Sequence, residues 1–223
     1  MPIKAIIFDL DGTIADSSGC IVAAAQSIQK TLSLKPITDD AVRHFIGRPL
    51  DAMLADLFDI EGELVHQAVA LYSTEYVRLT KTEERLFDGA IAMLEQLRKE
   101  GFLLAVATGK SQNGAEHATK RLGLQPWFDS IHGILPGTPG KPHPAVLVRA
   151  MRALDMNPED CVMVGDTTFD LDLAHAIDVR TIAVSWGVHS LETLQTRSPD
   201  TCVQTFDELL QWIRVQKSNH SDR

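Results

Sequence analysis

The stretch "IIFDLDGTIADSS", Ile6 to Ser18, sets a short apolar run against two acids one residue apart, Asp9 and Asp11, followed at once by Gly12 and Thr13. The run before the acids is short, apolar and β-branched, which suits a strand buried on both faces of a parallel sheet. On a strand, residues i and i+2 point to one side, roughly 6–7 Å apart along the backbone. Two carboxylates so close resist joint ionisation unless a cation or a proton intervenes. They also stand where open α/β sheets bind ligands, outside the carboxyl ends of the strands. Gly12 lets the backbone turn close to a ligand there.

Outward from this stretch the pattern repeats. "IKAIIFDL" (3–10) is followed by three similar strand-like runs, "LLAVAT" (103–108), "CVMVGD" (161–166) and "RTIAVS" (180–185). Helical patterns lie between them. "DGAIAMLEQLRKEG" (88–101) spaces Ile91, Leu94 and Leu97 three apart and ends on Lys99 and Gly101. Segments 111–123, 143–155 and 167–178 also read as helices, the second opening with proline in its first turn. This alternation predicts an α/β fold, a Rossmann-like parallel sheet core with right-handed crossovers. Residues 16–81 break it, because they read helical throughout and far exceed an ordinary crossover. They are expected to form an inserted helical cap subdomain, with hinges near Ala15–Ser18 and Lys81–Leu86. The expected core is then 1–15 with 82–223, and the cap 16–81. The polar end "KSNHSDR" (217–223) is expected to fray.

Composition narrows the function classes. The 223 residues are 44% hydrophobic and 23% charged, as in ordinary globular proteins with a sizeable core. The net charge of −9 argues against a basic face for nucleic acid. Cys20, Cys161 and Cys202 are odd in number, and none sit at CxxC spacing. That argues against a disulfide framework or zinc site and fits a reducing, cytoplasmic setting. The first apolar run is too short for a signal h-region, and no stretch approaches 18 uninterrupted apolar residues, so no membrane association is expected.

The chemistry gathers at the strand ends. Thr108 and Gly109 follow the second apolar strand, and Gly165, Asp166 and Asp170 follow the third. Between them "PGKPHP" holds Lys141 in a proline-flanked turn before a helix. Four acids, a hydroxyl and a lysine therefore converge on one edge of the sheet. Hard oxygen ligands suit Mg²⁺, and lysine and threonine suit phosphate oxygens, helped by backbone N–H groups. A carboxylate beside a divalent ion and a phosphoryl group can act as a nucleophile and form an aspartyl-phosphate.

"DLDGT", "VATGK", "GKPHP" and "GDTTFD", in that order, resemble the four motifs of the haloacid dehalogenase superfamily. The likeness spans the chain, since a helical cap after the first motif is the arrangement of its phosphoglycolate phosphatase-like branch. The resemblance implies Asp9 as nucleophile, and Asp11 as the acid that protonates the leaving alkoxide and then the base that activates water. It implies phosphoryl binding by Thr108 and Lys141. Mg²⁺ would be held by Asp166, the Asp9 side chain and the Asp11 backbone carbonyl, with Asp170 supporting the metal shell or Lys141. Gly12, Thr13 and Gly109 are expected beside the substrate. In the cap, Gly47 and Arg48 would reach over the site, where Arg48 could take a substrate carboxylate or second phosphate by a bidentate contact. Asp11 is the residue that dehalogenase members lack, which favours phosphoryl chemistry over carbon–halogen hydrolysis.

Plainer readings apply to several of these residues taken singly. Asp9 alone could cap a surface strand, Thr108 a helix, and Arg48 could be a solvated turn residue. Asp172 reads as a first-turn acid on a helix dipole, His143 as a helix-start residue and Cys161 as core. The expected function is hydrolysis of a small phosphorylated metabolite, 2-phosphoglycolate first by resemblance, by a monomer or homodimer. A β-phosphoglucomutase-like phosphotransferase, a pyrophosphatase and a sugar or nucleotide phosphatase share the scaffold. A phosphonatase needs a cap lysine where this chain has arginine. Outside enzymes, a receiver-like domain or a pseudo-enzyme that binds a phosphometabolite would use similar residues.

Overall fold

The computed structural model describes residues 2–218. Most of the 217–223 end therefore lies outside the described residues. Six parallel strands form one sheet: β1 (Ala5–Phe8), β4 (Leu103–Ser111), β5 (Ser130–Ile134), β6 (Cys161–Gly165), β7 (Arg180–Val184) and β8 (Thr201–Val203). Their order is β5-β4-β1-β6-β7-β8. The chain leaves β1 toward β4 and β5, then returns to the other side of β1 for β6, β7 and β8. The topological switch point therefore falls at β1, where α/β sheets place their ligand crevice.

Side chains of successive strand residues enter opposite layers. Ile6, Phe8, Leu104, Val106, Val162 and Val164 pack on one face with Met93, Leu94 and Leu97 of α5 (Ala90–Lys99) and Ile213 of α10 (Phe206–Ser218). Ile7, Ala105, Ala107, Cys161 and Met163 face the other way, against Val146, Leu147 and Met151 of α7 (Ala145–Ala153) and Leu173 of α8 (Thr168–His175). Burial on both faces explains why these strands read as nearly continuous apolar runs. Cys161 is fully buried, as expected of a core residue.

Between β1 and α5 lie four helices: α1 (Ser18–Thr31), α2 (Asp39–Phe45), α3 (Leu50–Phe58) and α4 (Glu63–Leu79). They bury an apolar cluster of their own, including Ala24, Ile28, Val42, Leu54, Phe58 and Tyr72. The chain leaves for them through β2 (Ala15–Asp16) and returns through β3 (Arg85–Leu86), and these two strands pair antiparallel. Two further helices complete the element order, α6 (Gln112–Arg121) after β4 and α9 (Leu191–Gln195) after β7. Among the described residues no helix is long and apolar enough to cross a membrane.

β4 runs three residues past Thr108, to Ser111, with its register against β5 interrupted between Ala107 and Ser111. The reason lies in the neighbour. β5 continues to Ile134 and pairs with Ser111 there, and Ser111 then becomes the N-cap of α6 by accepting from the Gly114 N–H at 3.2 Å.

Candidate active site

Three central strands deliver the expected residues. Phe8 lies level with Val106 and Val164, so by the same register Asp9 emerges beside Ala107 and Gly165, one residue before Thr108 and Asp166. Asp9 follows β1, Thr108 lies near the end of β4, and Asp166 follows β6. All three are almost wholly buried, as are Lys141 and Asp170.

Lys141 joins two of the acids. Its Nζ donates to Asp9 Oδ1 at 2.6 Å and to Asp170 Oδ1 at 2.5 Å. Burial opposes its charge, but the carboxylates of Asp170 and Asp9 outweigh that and hold the ammonium protonated above its usual range. The other oxygen of Asp170 accepts from the Thr167 N–H (3.1 Å) and hydroxyl (2.7 Å), which ties it to the start of α8. Asp166 accepts from the Thr13 hydroxyl at 2.8 Å and the Val188 N–H at 2.8 Å. The Thr13 hydroxyl is fully buried and orients the Asp166 carboxylate.

Asp9 Oδ2 is buried and has no hydrogen-bond partner. Burial pushes the Asp9 carboxyl up to about 7, against the pull of Lys141 and with the help of Asp170 and Asp11. Asp166 is pushed well up too, by burial first and then by Asp9 and Asp170. Asp9, Asp166 and Asp170 each offer an oxygen, and those atoms lie within 4.8 Å of one another. Were all three ionised, three carboxylates against one ammonium would leave two excess negative charges in a buried place, which is what pushes Asp9 and Asp166 up. An all-oxygen donor set and that charge deficit together fit a hard divalent cation such as Mg²⁺. Gly12 makes the arrangement possible. Its φ is +79°, and a Cβ there would stand 2.1 Å from Asp166 Oδ2.

The Asp11 side chain turns away from this cluster. Its Oδ1 accepts from the Ser17 hydroxyl at 2.6 Å, and its Oδ2 pairs with Lys110 Nζ at 2.9 Å. Lys110 also donates to the Tyr76 hydroxyl at 3.0 Å, and Tyr76 donates to Glu84 at 2.8 Å. Burial works against the Lys110 charge, yet Asp11 overrides it and keeps the group protonated above its ordinary range. Lys110, Ser17 and Tyr76 escape sequence reasoning. The available signal was the lysine of "VATGK", one residue past Gly109 on the same strand end.

Gly47 and Arg48 sit nearby in different circumstances. The backbone carbonyl of Gly47 comes so close to Gly109 that a Cβ on Gly109 would be 2.2 Å away. Gly109 therefore admits the 47–49 loop onto the core. Arg48 is half-buried and pairs with Asp56 of α3 at 2.5 Å, its guanidinium 5.4 Å from the Phe45 ring centre. Its charge is engaged within the helical unit. Asp172 pairs with Arg197 at 2.8 Å, and His143 accepts from the Ala145 N–H, so neither joins the site.

A family model described as haloacid dehalogenase-like hydrolase matches residues 6–184. The chain belongs to this family. Among curated members, a probable phosphatase, IndB of Dickeya dadantii, is 34% identical over 92% of this chain and 91% of its own length. A phosphoglycolate phosphatase of Colwellia psychrerythraea is 27% identical, over 93% of this chain and 95% of its own. Among solved structures, a haloacid dehalogenase-like hydrolase from Streptococcus pneumoniae superposes with a TM-score of 0.84 at 30% identity, covering 94% of this chain and 98% of that one. The haloacid dehalogenase-like hydrolase described here is accordingly an enzyme of the phosphatase kind, related to the phosphoglycolate phosphatases.

Proposed function

We propose that this hydrolase is a Mg²⁺-dependent phosphatase that cleaves phosphate monoesters through an aspartyl-phosphate on Asp9. The observation that carries the reading is Asp9 itself, whose Oδ1 is fixed by Lys141 while its buried Oδ2 has no partner. A carboxylate held by one oxygen and free at the other is aimed as a nucleophile.

In the first half-reaction Asp9 Oδ2 bonds to phosphorus, and the ester P–O bond breaks. Asp11 supplies a proton to the leaving oxygen. In the second, Asp11 takes a proton from a water whose oxygen attacks the phosphorus. The bond to Asp9 then breaks, releasing inorganic phosphate and the free carboxylate. Thr108 and the Gly109 N–H would bind phosphoryl oxygens, and Lys141 would offset the charge that builds there. Mg²⁺, held by Asp9 and Asp166 with the Asp11 backbone carbonyl, would supply electrostatic stabilisation of the phosphoryl group. Asp170 fixes Lys141 and completes the acid cluster.

We read residues 16–81 as a cap over this site, supported by their separate apolar cluster and the contact of Gly47 on Gly109. The substrate is a phosphorylated small molecule; resemblance alone puts 2-phosphoglycolate first, whereas the cavity beside Asp11 favours a larger alcohol. Replacing Asp9 by Asn should cut p-nitrophenyl phosphate turnover with Mg²⁺ about a thousand-fold or more. Retained turnover in the folded variant would remove Asp9 from the nucleophile's role.

A further inference from the structure

Of the groups placed in catalysis by their side chains, Asp11 lines a large cavity between α4, the 46–53 segment and the loops after β4 and β5, while Asp9, Thr108 and Lys141 do not. If Asp11 protonates the leaving oxygen, the space beyond it receives the alcohol half of the substrate. This inference therefore rests on the phosphatase reading above.

The cavity measures about 1040 Å³. Pockets of roughly 300–1,000 Å³ hold drug-sized ligands, so a two-carbon acid or a second phosphate would leave most of it unfilled. Its walls are largely apolar, with Ile46, Leu50, Val69, Tyr72, Tyr76 and Leu135 among them. Tyr72 and Tyr76 stack with ring centres 5.8 Å apart and planes within 10°. The arginines and the lysine along it are already matched with acids: Arg48 with Asp56, Arg121 with Glu84, and Lys110 with Asp11. A second anion on the substrate would have to break one of those pairs.

We propose that the alcohol released by this enzyme is a bulky, uncharged, aromatic ring-bearing one, and not a small acid or phosphate. Tyr72 is buried, and the Lys110 ammonium lies 4.5 Å from the Tyr76 ring centre. The rings would therefore lie against the edge of Tyr76 and the apolar side chains around it, and the ester oxygen would meet Asp11.

The test is a comparison of kcat/KM, with Mg²⁺, for 2-naphthylmethyl phosphate, 2-phosphoglycolate, pyrophosphate and acetyl phosphate. The ring-bearing ester should lead 2-phosphoglycolate and pyrophosphate by about ten-fold or more. Ser73, exposed on α4 and lining the cavity, provides a second arm. Ser73→Trp should lower the ratio of naphthylmethyl to acetyl phosphate kcat/KM by about ten-fold. A preference for 2-phosphoglycolate or pyrophosphate, or a ratio unmoved by Ser73→Trp, would overturn the proposal while leaving the phosphatase reading in place. Failure to turn over any of the four, acetyl phosphate included, would overturn both.

Discussion

Asp9 and His132 are both titratable groups with buried, unsatisfied polar atoms, and they differ in what surrounds them. Asp9 sits among acids and a lysine, a setting that fits a cation. His132, in edge strand β5, has neither ring nitrogen hydrogen-bonded. Burial, with the charge of Arg149 adding to it, pushes its pKa down from 6.5 to about 4. The unfolded chain therefore binds the proton more readily than the fold does. Stability from this residue is whole above about pH 6.5 and is lost as pH falls toward 4. Since the ring is only half-buried, solvent screening reduces the effect to about 1 kcal/mol. His132→Leu should flatten the slope of unfolding free energy between pH 4 and 6.5, measured by urea denaturation. An unchanged slope would assign the acid sensitivity elsewhere. At this scale the sequence revealed Asp9, Asp11, Thr108, Lys141, Asp166 and Asp170 as residues of one place, because three strand ends and one proline-flanked turn each carried a short motif. It did not reveal Lys110, Ser17 or Tyr76. Their positions depend on side chains meeting across α4, α1 and β4, and no local spacing encodes that.

Helices and strands were legible in proportion to how completely they are buried. β1, β4, β6 and β7 occupy the middle of the sheet and read as apolar runs. β5 ("SIHGI") is a half-buried edge strand, and β8 ("TCV") has only three residues at the other edge, so neither has a continuous apolar signature. Helix α5 was legible from its three-residue apolar spacing, and Leu94 is fully buried on that face. Leu94→Ala should cost roughly 2–5 kcal/mol in equilibrium denaturation, with the cost falling on the sheet layer that carries Phe8. A loss under about 1 kcal/mol would mean that the layer repacks around the gap.

The whole molecule places a surplus of negative charge at its centre. A net charge of −9 on the chain coincides with three buried carboxylates facing one lysine. Mg²⁺ should therefore stabilise the entire fold as well as serve the reaction. At a hundred times its dissociation constant the gain is about 2.7 kcal/mol, or a rise of roughly 5–10 °C in melting temperature for a chain of this size. EDTA should reverse it, and Asp166→Asn should abolish it. A melting temperature indifferent to Mg²⁺ would count against the acid cluster as its site.

The paired strands β2 and β3 carry one more consequence. Ala15 faces Leu86 and Asp16 faces Arg85, so the helical unit departs and re-enters the sheet through a single doorway. A tight turn across that doorway would close the sheet-bearing chain and leave β1 and Asp9 in place, while Asp11 would lose the Ser17 hydroxyl. On the reading of 16–81 as a cap, recombination at two codons would exchange one chamber for another. What is recognised would then diversify while Asp9, Lys141, Asp166 and Asp170 stay as they are.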